Sequence, residues 1–124
     1  MSVLVSLADG PGDAPSKLSL EEIVHIANKV GLEYVDAKRE AEHLSLLKAS
    51  KRAQVMIRID NGEMSEAKLL RMAEVDQEYI DFLDNLSELK RKAARLKIRY
   101  ESYKNLFEAR RSLLSYQKAE MGLT

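Results

Sequence analysis

Apolar residues recur every three or four positions from Met72 to Phe107 and every seven positions from there to Met121, in one unbroken heptad frame. The first apolar position of the heptad (a) holds Met72, Tyr79, Leu86, Ala93, Tyr100, Phe107, Leu114 and Met121. The second (d) holds Val75, Phe82, Leu89, Leu96 and Tyr103, followed by the polar residues Arg110 and Gln117. Such a repeat is typical of a long helix packed against other helices. It predicts a final helix over about residues 77–120.

The residues before this repeat predict a first helix over about 20–60. Ser19, with Glu22 three residues later, forms a capping-box sequence at its start. Apolar residues then recur three or four apart from Ile23 to Leu44. The later stretch QVMIRID alternates as a strand does, but a lone strand among helices has nothing to pair with. We therefore predict that the first helix ends there.

A turn and a short helix are predicted between the two long helices. An Asn-Gly dipeptide, which commonly stops a helix, predicts a turn over 61–64. Ser65 is the expected cap of a short helix over about 65–75, and Asp76 is the expected cap of the final helix. Gly31 lies inside the first helix, where it is expected to cost about 1 kcal/mol relative to alanine.

These elements predict an all-α fold, a long helical hairpin or three-helix coiled-coil-like protomer, in one domain over 18–124. Residues 1–17 hold glycine and proline among small polar residues and predict a flexible tail. The C-terminal apolar stripe, which includes Leu106 and Leu113 beside the a positions, is wider than one antiparallel neighbour covers. We expect a homo-oligomer to bury it.

The composition argues against several classes of protein. There is no cysteine, so neither disulfides nor thiolate metal sites are expected, and a reducing compartment is favoured. No apolar run approaches the roughly 20 residues that span a bilayer, and no basic segment precedes the short N-terminal apolar run. There is no phosphate-binding loop, and His25 and His43 lack metal-ligand spacing. We expect a cytoplasmic protein that is not an enzyme and has no metal, cofactor or membrane partner.

Net charge is zero, but the two signs are separated along the chain. Residues 1–85 hold 16 acids and 10 bases, whereas residues 86–118 hold 3 acids and 10 bases. Five cations occupy heptad position e, at Lys90, Lys97, Lys104, Arg111 and Lys118. One interpretation is structural, because e-position cations flank a helical seam and pair with acids of a facing helix. The first helix offers such acids at Glu33, Asp36, Glu40 and Glu42.

The other interpretation is a nucleic-acid interface. Four cations lie off the e row, so one acidic neighbour does not neutralise them all: Arg91, Lys92, Arg95 and Arg99. A second basic cluster ends the first helix, at Lys48, Lys51, Arg52 and Arg58. Cations grouped in this way bind phosphates with steep salt dependence, and neighbouring aromatic rings offer stacking surfaces for bases. The nearby rings of Tyr100, Tyr103 and Phe107, however, occupy a and d positions, which are typical of a core.

The segments KRAQVMIRIDNG and MSEAKLLRMAEVDQEYIDFLDNL resemble the UvsY-like recombination mediators of tailed phages. The shared layout is a long helix with a basic end, a glycine-containing turn, a short helix and a long final helix, over residues 20–121. The resemblance implies an all-helical protein that forms rings through its C-terminal helices and binds single-stranded DNA. It further implies that the protein helps load a RecA-type recombinase onto strands coated by single-strand-binding protein.

The resemblance also implies which residues act. Lys51, Arg52 and Arg58 match the family's DNA-contacting segment, and Met56 stands where the family has a lysine. The final helix is left mainly for assembly, with oligomerisation expected at Tyr100, Tyr103, Leu106, Phe107, Leu113 and Leu114. The alternative function is a coiled-coil interaction module, such as an adaptor, chaperone or inhibitor, that binds no nucleic acid.

Overall fold

The computed structural model describes residues 17–122. These residues form four helices and no strand, which confirms the all-α prediction for this part of the chain. The helices are α1 (Leu20–Leu46), α2 (Lys48–Ile59), α3 (Glu66–Glu74) and α4 (Gln77–Glu120). The predicted N-terminal tail, apart from Lys17, lies outside the described residues.

The predicted capping box starts α1. The Ser19 hydroxyl accepts a hydrogen bond from the Glu22 N–H at 3.1 Å, and the Glu22 carboxylate accepts one from the Ser19 N–H at 3.0 Å. These two bonds satisfy donors that the first turn of a helix leaves without partners. Because the Ser19 N–H and hydroxyl favour the ionised carboxylate, they lower the pKa of Glu22.

The starts of α3 and α4 also have their predicted caps. The Ser65 hydroxyl accepts the Lys68 N–H at 3.2 Å, and an Asp76 carboxylate oxygen accepts the Glu78 N–H at 3.0 Å. Only Val75 and Asp76 separate α3 from α4, so the heptad frame continues across a break in the helix.

The segment predicted as one helix over 20–60 is interrupted at Leu47, between α1 and α2. Leu47 has φ −86° and ψ −1°, and its N–H donates to the Leu44 carbonyl at 3.0 Å in a tighter turn. Neither glycine nor proline lies at this break. Since no local breaker is present, we attribute the interruption to the packing of α2, which buries Val55 against α3.

The predicted turn after α2 is held by two short-range hydrogen bonds. The Gly62 N–H donates to the Asp60 carboxylate and the Glu63 N–H donates to the Asn61 side-chain oxygen, each at 2.9 Å. Gly62 has φ +83°, a left-handed conformation that glycine adopts without steric cost. The Asn-Gly signal therefore marks the place where the chain reverses.

By their contacts, the residues divide into two compact units. Among the described residues, the first contains those up to Tyr34 and those from Ala94 onward, which joins the start of α1 with the later part of α4. Its buried core residues are Leu18, Ile23, Ala27, Val30, Leu96 and Tyr103. The Arg110 guanidinium donates to the Leu18 carbonyl, which ties the chain just before α1 to α4.

The second unit, Val35–Ala93, contains the end of α1, all of α2 and α3, and the start of α4. One hydrophobic cluster of this unit joins Val55 of α2, Ala73 of α3 and Tyr79 of α4, all nearly or fully buried. The Tyr79 ring stacks with Phe82, with ring centroids 6.4 Å apart. This cluster fixes α2 beside the α3–α4 corner, and so places the basic end of the first predicted helix next to the acids of that corner.

Candidate nucleic-acid interface

The α2 cations of the candidate site flank a buried anchor. Lys51, Val55 and Arg58 are spaced four and three residues apart, so they share one side of the helix. Val55 is only 1% exposed, whereas the side chains of Lys51 and Arg58 are 25% and 51% exposed. The apolar residue thus holds the helix in place while the two cations remain accessible beside it.

Each of these cations contacts an acid at the start of α4. The Lys51 Nζ lies 2.6 Å from Glu78 Oε2, and the Arg58 Nε lies 3.1 Å from Glu78 Oε1. A second nitrogen of Arg58, Nη2, lies 2.5 Å from Asp76 Oδ1. Glu78 therefore pairs with two cations, and Arg58 pairs with two carboxylates.

The helix itself favours acids at this position. Asp76 caps α4 and Glu78 lies in its first turn. The unpaired N–H groups at a helix start carry partial positive charge, so carboxylates are stabilised there. The acids are consequently fixed at the α4 start by the backbone as well as by the cations of α2.

These contacts shift three pKa values. The hydrogen bond from Arg58 lowers the pKa of Asp76, and the hydrogen bond from Lys51 lowers the pKa of Glu78. The hydrogen bond to Asp76 raises the pKa of Arg58. All three side chains therefore remain charged at neutral pH, and the acids neutralise much of the positive charge of α2.

The other two predicted α2 residues are held less closely. Arg52 lies 4.0 Å from Glu74 of α3, at the limit of an ion pair. Lys48 is exposed and has no ion pair among residues 17–122. The four α2 cations thus range from doubly paired to unpaired.

The predicted α4 cations are placed in both units. Lys92 belongs to the second unit and is exposed, while Arg95 belongs to the first and is also exposed. Neither has an ion pair within the described part of the chain. Arg99, in the first unit, is half-buried, and its Nε has no hydrogen-bond partner among the described residues. Their role in binding stays a prediction.

The e-position cations do not pair with the α1 acids within either unit. Arg111 pairs with Glu108 of its own helix at 2.7 Å. Lys104 lies over the Tyr100 ring, with its Nζ 5.2 Å from the centroid. The expected pairing across the helical seam is therefore not seen among the described residues. The ion pairs between α2 and the α3–α4 corner join bases and acids that all lie within residues 1–85.

The residues predicted for oligomerisation fall into three degrees of burial, all within the first unit. Tyr103 is 1% exposed and belongs to the core. Tyr100, Leu106 and Phe107 are half-buried. Leu113 and Leu114 are 52% and 46% exposed. Assembly through these residues stays a prediction.

The three aromatic rings considered for base stacking also differ in burial. Tyr100 and Phe107 line an open groove of about 190 Å³, together with Asn28 of α1 and Lys104 of α4. Tyr103, enclosed in the core, is not accessible to a base. Of the three rings considered for stacking, two are therefore available at the surface.

Sequence reasoning did not identify Glu74, Asp76 and Glu78 as part of the site. Asp76 was expected as a cap, but its contact with Arg58 spans 18 residues, and the contact between Glu78 and Lys51 spans 27. Helical spacing carries no signal over such separations. The only sequence signal was the concentration of acids at the start of the final helix.

Residues 17–122 contain no group of three or more histidine, aspartate or glutamate side chains placed to hold a metal ion. None of the described helices combines the length and the apolar composition needed to cross a membrane.

Comparison with known proteins finds no matching protein-family model, no similar curated protein and no similar solved structure.

Proposed function

We propose that this protein is a non-enzymatic single-stranded DNA-binding protein that acts as a homo-oligomer in recombination. The observation that carries the proposal is the group of accessible cations on α2, held in place by the buried Val55. Lys48, Lys51, Arg52 and Arg58 form the primary contact with phosphates. Lys92, Arg95 and Arg99 of α4 provide additional positive charge.

The ion pairs of α2 are compatible with this role because they are solvent-accessible. Exposed ion pairs are weak and are screened by salt. A nucleic-acid strand offers many phosphates and releases condensed counterions when it binds, which gives it an advantage over one fixed carboxylate. The site is therefore expected to exchange its internal acids for phosphates, most readily at low salt.

Assembly multiplies a weak site. If several protomers present their α2 cations to one strand, each bound site raises the effective concentration of strand at the next. A ring-like homo-oligomer, formed through exposed residues of α4 such as Leu113 and Leu114, provides this arrangement. Binding in this way does not depend on base sequence, because phosphate contacts carry no sequence information.

The biological role that fits such binding is mediation of strand exchange. A protein that holds single-stranded DNA without a covalent step can help load a RecA-type recombinase onto a strand covered by single-strand-binding protein. Such a mediator works in the cytoplasm, and in that of the host cell if a phage encodes it. This role rests on the sequence resemblance described above.

A helical interaction module without nucleic-acid binding is the second candidate. It is favoured by the apolar side chains left exposed at and just after the end of α4, since Leu113, Tyr116 and Met121 are 52%, 61% and 71% exposed. Apolar residues grouped on a surface commonly mark a protein-binding face. An adaptor, chaperone or inhibitor would use that face for a different protein.

The deciding experiment measures binding of fluorescent poly-dT by anisotropy at low and physiological salt. The variant Lys51→Ala/Arg52→Ala/Arg58→Ala is compared with Lys29→Ala/Arg39→Ala/Arg71→Ala, which removes the same charges from exposed positions outside the site. We expect the first variant to bind every sequence more weakly. Its salt dependence should be shallower by about 0.7 per lost phosphate contact, whereas the control should change little.

Light scattering on the same samples reports the oligomeric state. An intact oligomer of the first variant with wild-type affinity would contradict the proposed site. An oligomer of the wild-type protein that ignores DNA even at low salt would instead favour the interaction module.

A further inference from the structure

The two acids at the start of α4 form ion pairs with α2 cations that the proposed function assigns to phosphate binding. We infer that Asp76 and Glu78 are built-in competitors of nucleic-acid phosphates, and that they restrict the site to ligands with adjacent phosphate groups. This inference rests on the proposed function and concerns the same α2 cations. It assigns to the two carboxylates control of affinity and of ligand class.

The contacts between the four side chains are interlocked. Glu78 uses one carboxylate oxygen for Lys51 at 2.6 Å and the other for Arg58 at 3.1 Å. Arg58 in turn uses a second nitrogen for Asp76 at 2.5 Å. An anion that displaces only one of these contacts leaves the remaining ones in place, so a single small anion gains little.

The acids and the cations differ in their freedom to move. As the cap of α4, Asp76 accepts a hydrogen bond from the Glu78 N–H, and this bond to the backbone holds its carboxylate in position. Lys51 and Arg58 instead carry their charges on long, flexible stems. Rotation of these two side chains opens the pairs without any change in the helices, and their exposure of 25% and 51% leaves room for it.

The ligand class follows from the number of contacts to be replaced. A strand of nucleic acid presents one phosphate after another, so it can take up Lys51 and Arg58 together. Inorganic phosphate offers one anionic group and releases no condensed counterions. The site therefore selects a polyanion over an isolated phosphate. Arg52, which lies 4.0 Å from Glu74, adds a weaker third pair beside this network.

The test removes the competing charge and keeps the side-chain size. Poly-dT binding is measured for the full chain with Glu78→Gln, and for Asp84→Asn as the matched control. Asp84 is an exposed acid of α4 without an ion pair among the described residues, so the control changes net charge equally. We expect Glu78→Gln to tighten binding about fivefold and to steepen the salt dependence, and Asp84→Asn to change it by less than about twofold.

Two further measurements separate the effect of the α2–α4 ion pairs from the effect of net charge. Adding Lys51→Ala and Arg58→Ala should abolish the gain from Glu78→Gln, because no competing pair remains. Inorganic phosphate should displace poly-dT from the wild-type protein no better than chloride at equal ionic strength. Equal gains in Glu78→Gln and Asp84→Asn, with a wild-type protein that binds poly-dT, would overturn the inference and leave the proposed function standing.

The remaining outcomes are also decisive. If neither the wild-type protein nor Glu78→Gln binds poly-dT at low salt, the proposed function fails and this inference fails with it. Circular dichroism and thermal melting check that the variants fold. If Glu78→Gln does not, Asp76→Asn replaces it, since asparagine caps helices as well as aspartate does. Displacement of poly-dT by inorganic phosphate at an ionic strength where chloride has no effect would refute the selection for adjacent phosphates.

Discussion

Gly31 is the residue at which α1 makes room for an aromatic ring of α4. A Cβ atom at this position would lie 2.9 Å from Cε1 and 3.1 Å from Cδ1 of Tyr100, closer than packed carbon atoms approach. A glycine inside a helix costs about 1 kcal/mol relative to alanine. Glycine at this position therefore lowers helix propensity but allows close packing within the first unit.

The first prediction concerns the balance between helix propensity and packing at position 31. Alanine at position 31 gains up to about 1 kcal/mol of helix propensity, but overpacking against the Tyr100 ring costs about 1–3 kcal/mol. We expect Gly31→Ala to lower the free energy of unfolding by up to about 2 kcal/mol. In a Tyr100→Leu background, which removes the ring, the same substitution should be neutral or stabilising.

Chemical denaturation of the two single variants and the double variant gives the coupling between the sites. Equal effects of Gly31→Ala in both backgrounds would show that the Tyr100 ring does not limit position 31.

At the scale of the helices, the contacts between α2 and the α4 start make this part of the second unit sensitive to acid. The ordinary pKa values of Asp76 and Glu78 are 3.8 and 4.5, and the cations of α2 lower both in the folded protein. A lowered pKa means that folding is favoured while the carboxylate is ionised. This contribution is complete above the ordinary values and is lost as the pH falls through the lower folded values.

The second prediction is that the α2–α4 contacts loosen below about pH 4, before other parts of the second unit. Amide hydrogen exchange between pH 7 and pH 3, corrected for the intrinsic pH dependence of exchange, measures the loss of protection in α2. The variant Asp76→Asn/Glu78→Gln should lack this acid-dependent step, because it has no charge to lose. An identical acid profile in variant and wild-type protein would contradict the assignment.

Local sequence signals were sufficient for much of the helical structure. The capping residues Ser19, Ser65 and Asp76 form the hydrogen bonds expected of them. The stretch QVMIRID is helical up to Ile59 and forms no strand, as the absence of a partner strand required. These features depend on residues a few positions apart, and so a single sequence contains the information that specifies them.

Features set by packing were not predictable in the same way. No glycine or proline near Leu47 indicates the break between α1 and α2. The reason for Gly31 lies in Tyr100, which is distant in sequence and close in space. The same holds for the candidate site: residue type alone pointed to Lys51 and Arg58, but their acidic partners became visible only when the Val55 cluster fixed α2 beside the α4 start.

At the scale of the whole molecule, the heptad continues beyond the residues that are buried in the described part of the chain. Every described residue from 111 onward is exposed. Leu114 and Met121 nevertheless keep the a positions that are buried earlier in the helix, for example at Leu86. An apolar row that continues past its intramolecular partner is consistent with burial in an assembly.

The third prediction follows from this exposure. Leu113→Glu/Leu114→Glu should dissociate the proposed oligomer and bring its mass toward the 14.1 kDa of one chain. Because both side chains are about half exposed in the protomer, its stability should change by only about 0.5 kcal/mol per substitution. Light scattering gives the mass and thermal melting at low concentration gives the stability.

A matched control replaces the exposed polar pair Ser112 and Gln117 of the same segment by glutamate. This control should leave the assembly intact. Wild-type protein that is monomeric at tens of micromolar would refute assembly through this face, and a variant that dissociates only by unfolding would show a core role instead.

Because Glu78 is shared between two cations, the effect of a substitution at position 51, 58 or 78 depends on the residues at the other two. Losing Lys51 leaves the whole carboxylate to Arg58, and losing Arg58 leaves it to Lys51, so the remaining cation compensates for the first loss. Losing both leaves the acid unopposed. Replacements at positions 51, 58 and 78 should thus be epistatic. Among diverging copies of this chain, a neutral residue at 78 would be tolerated most readily where one of the cations had already been lost.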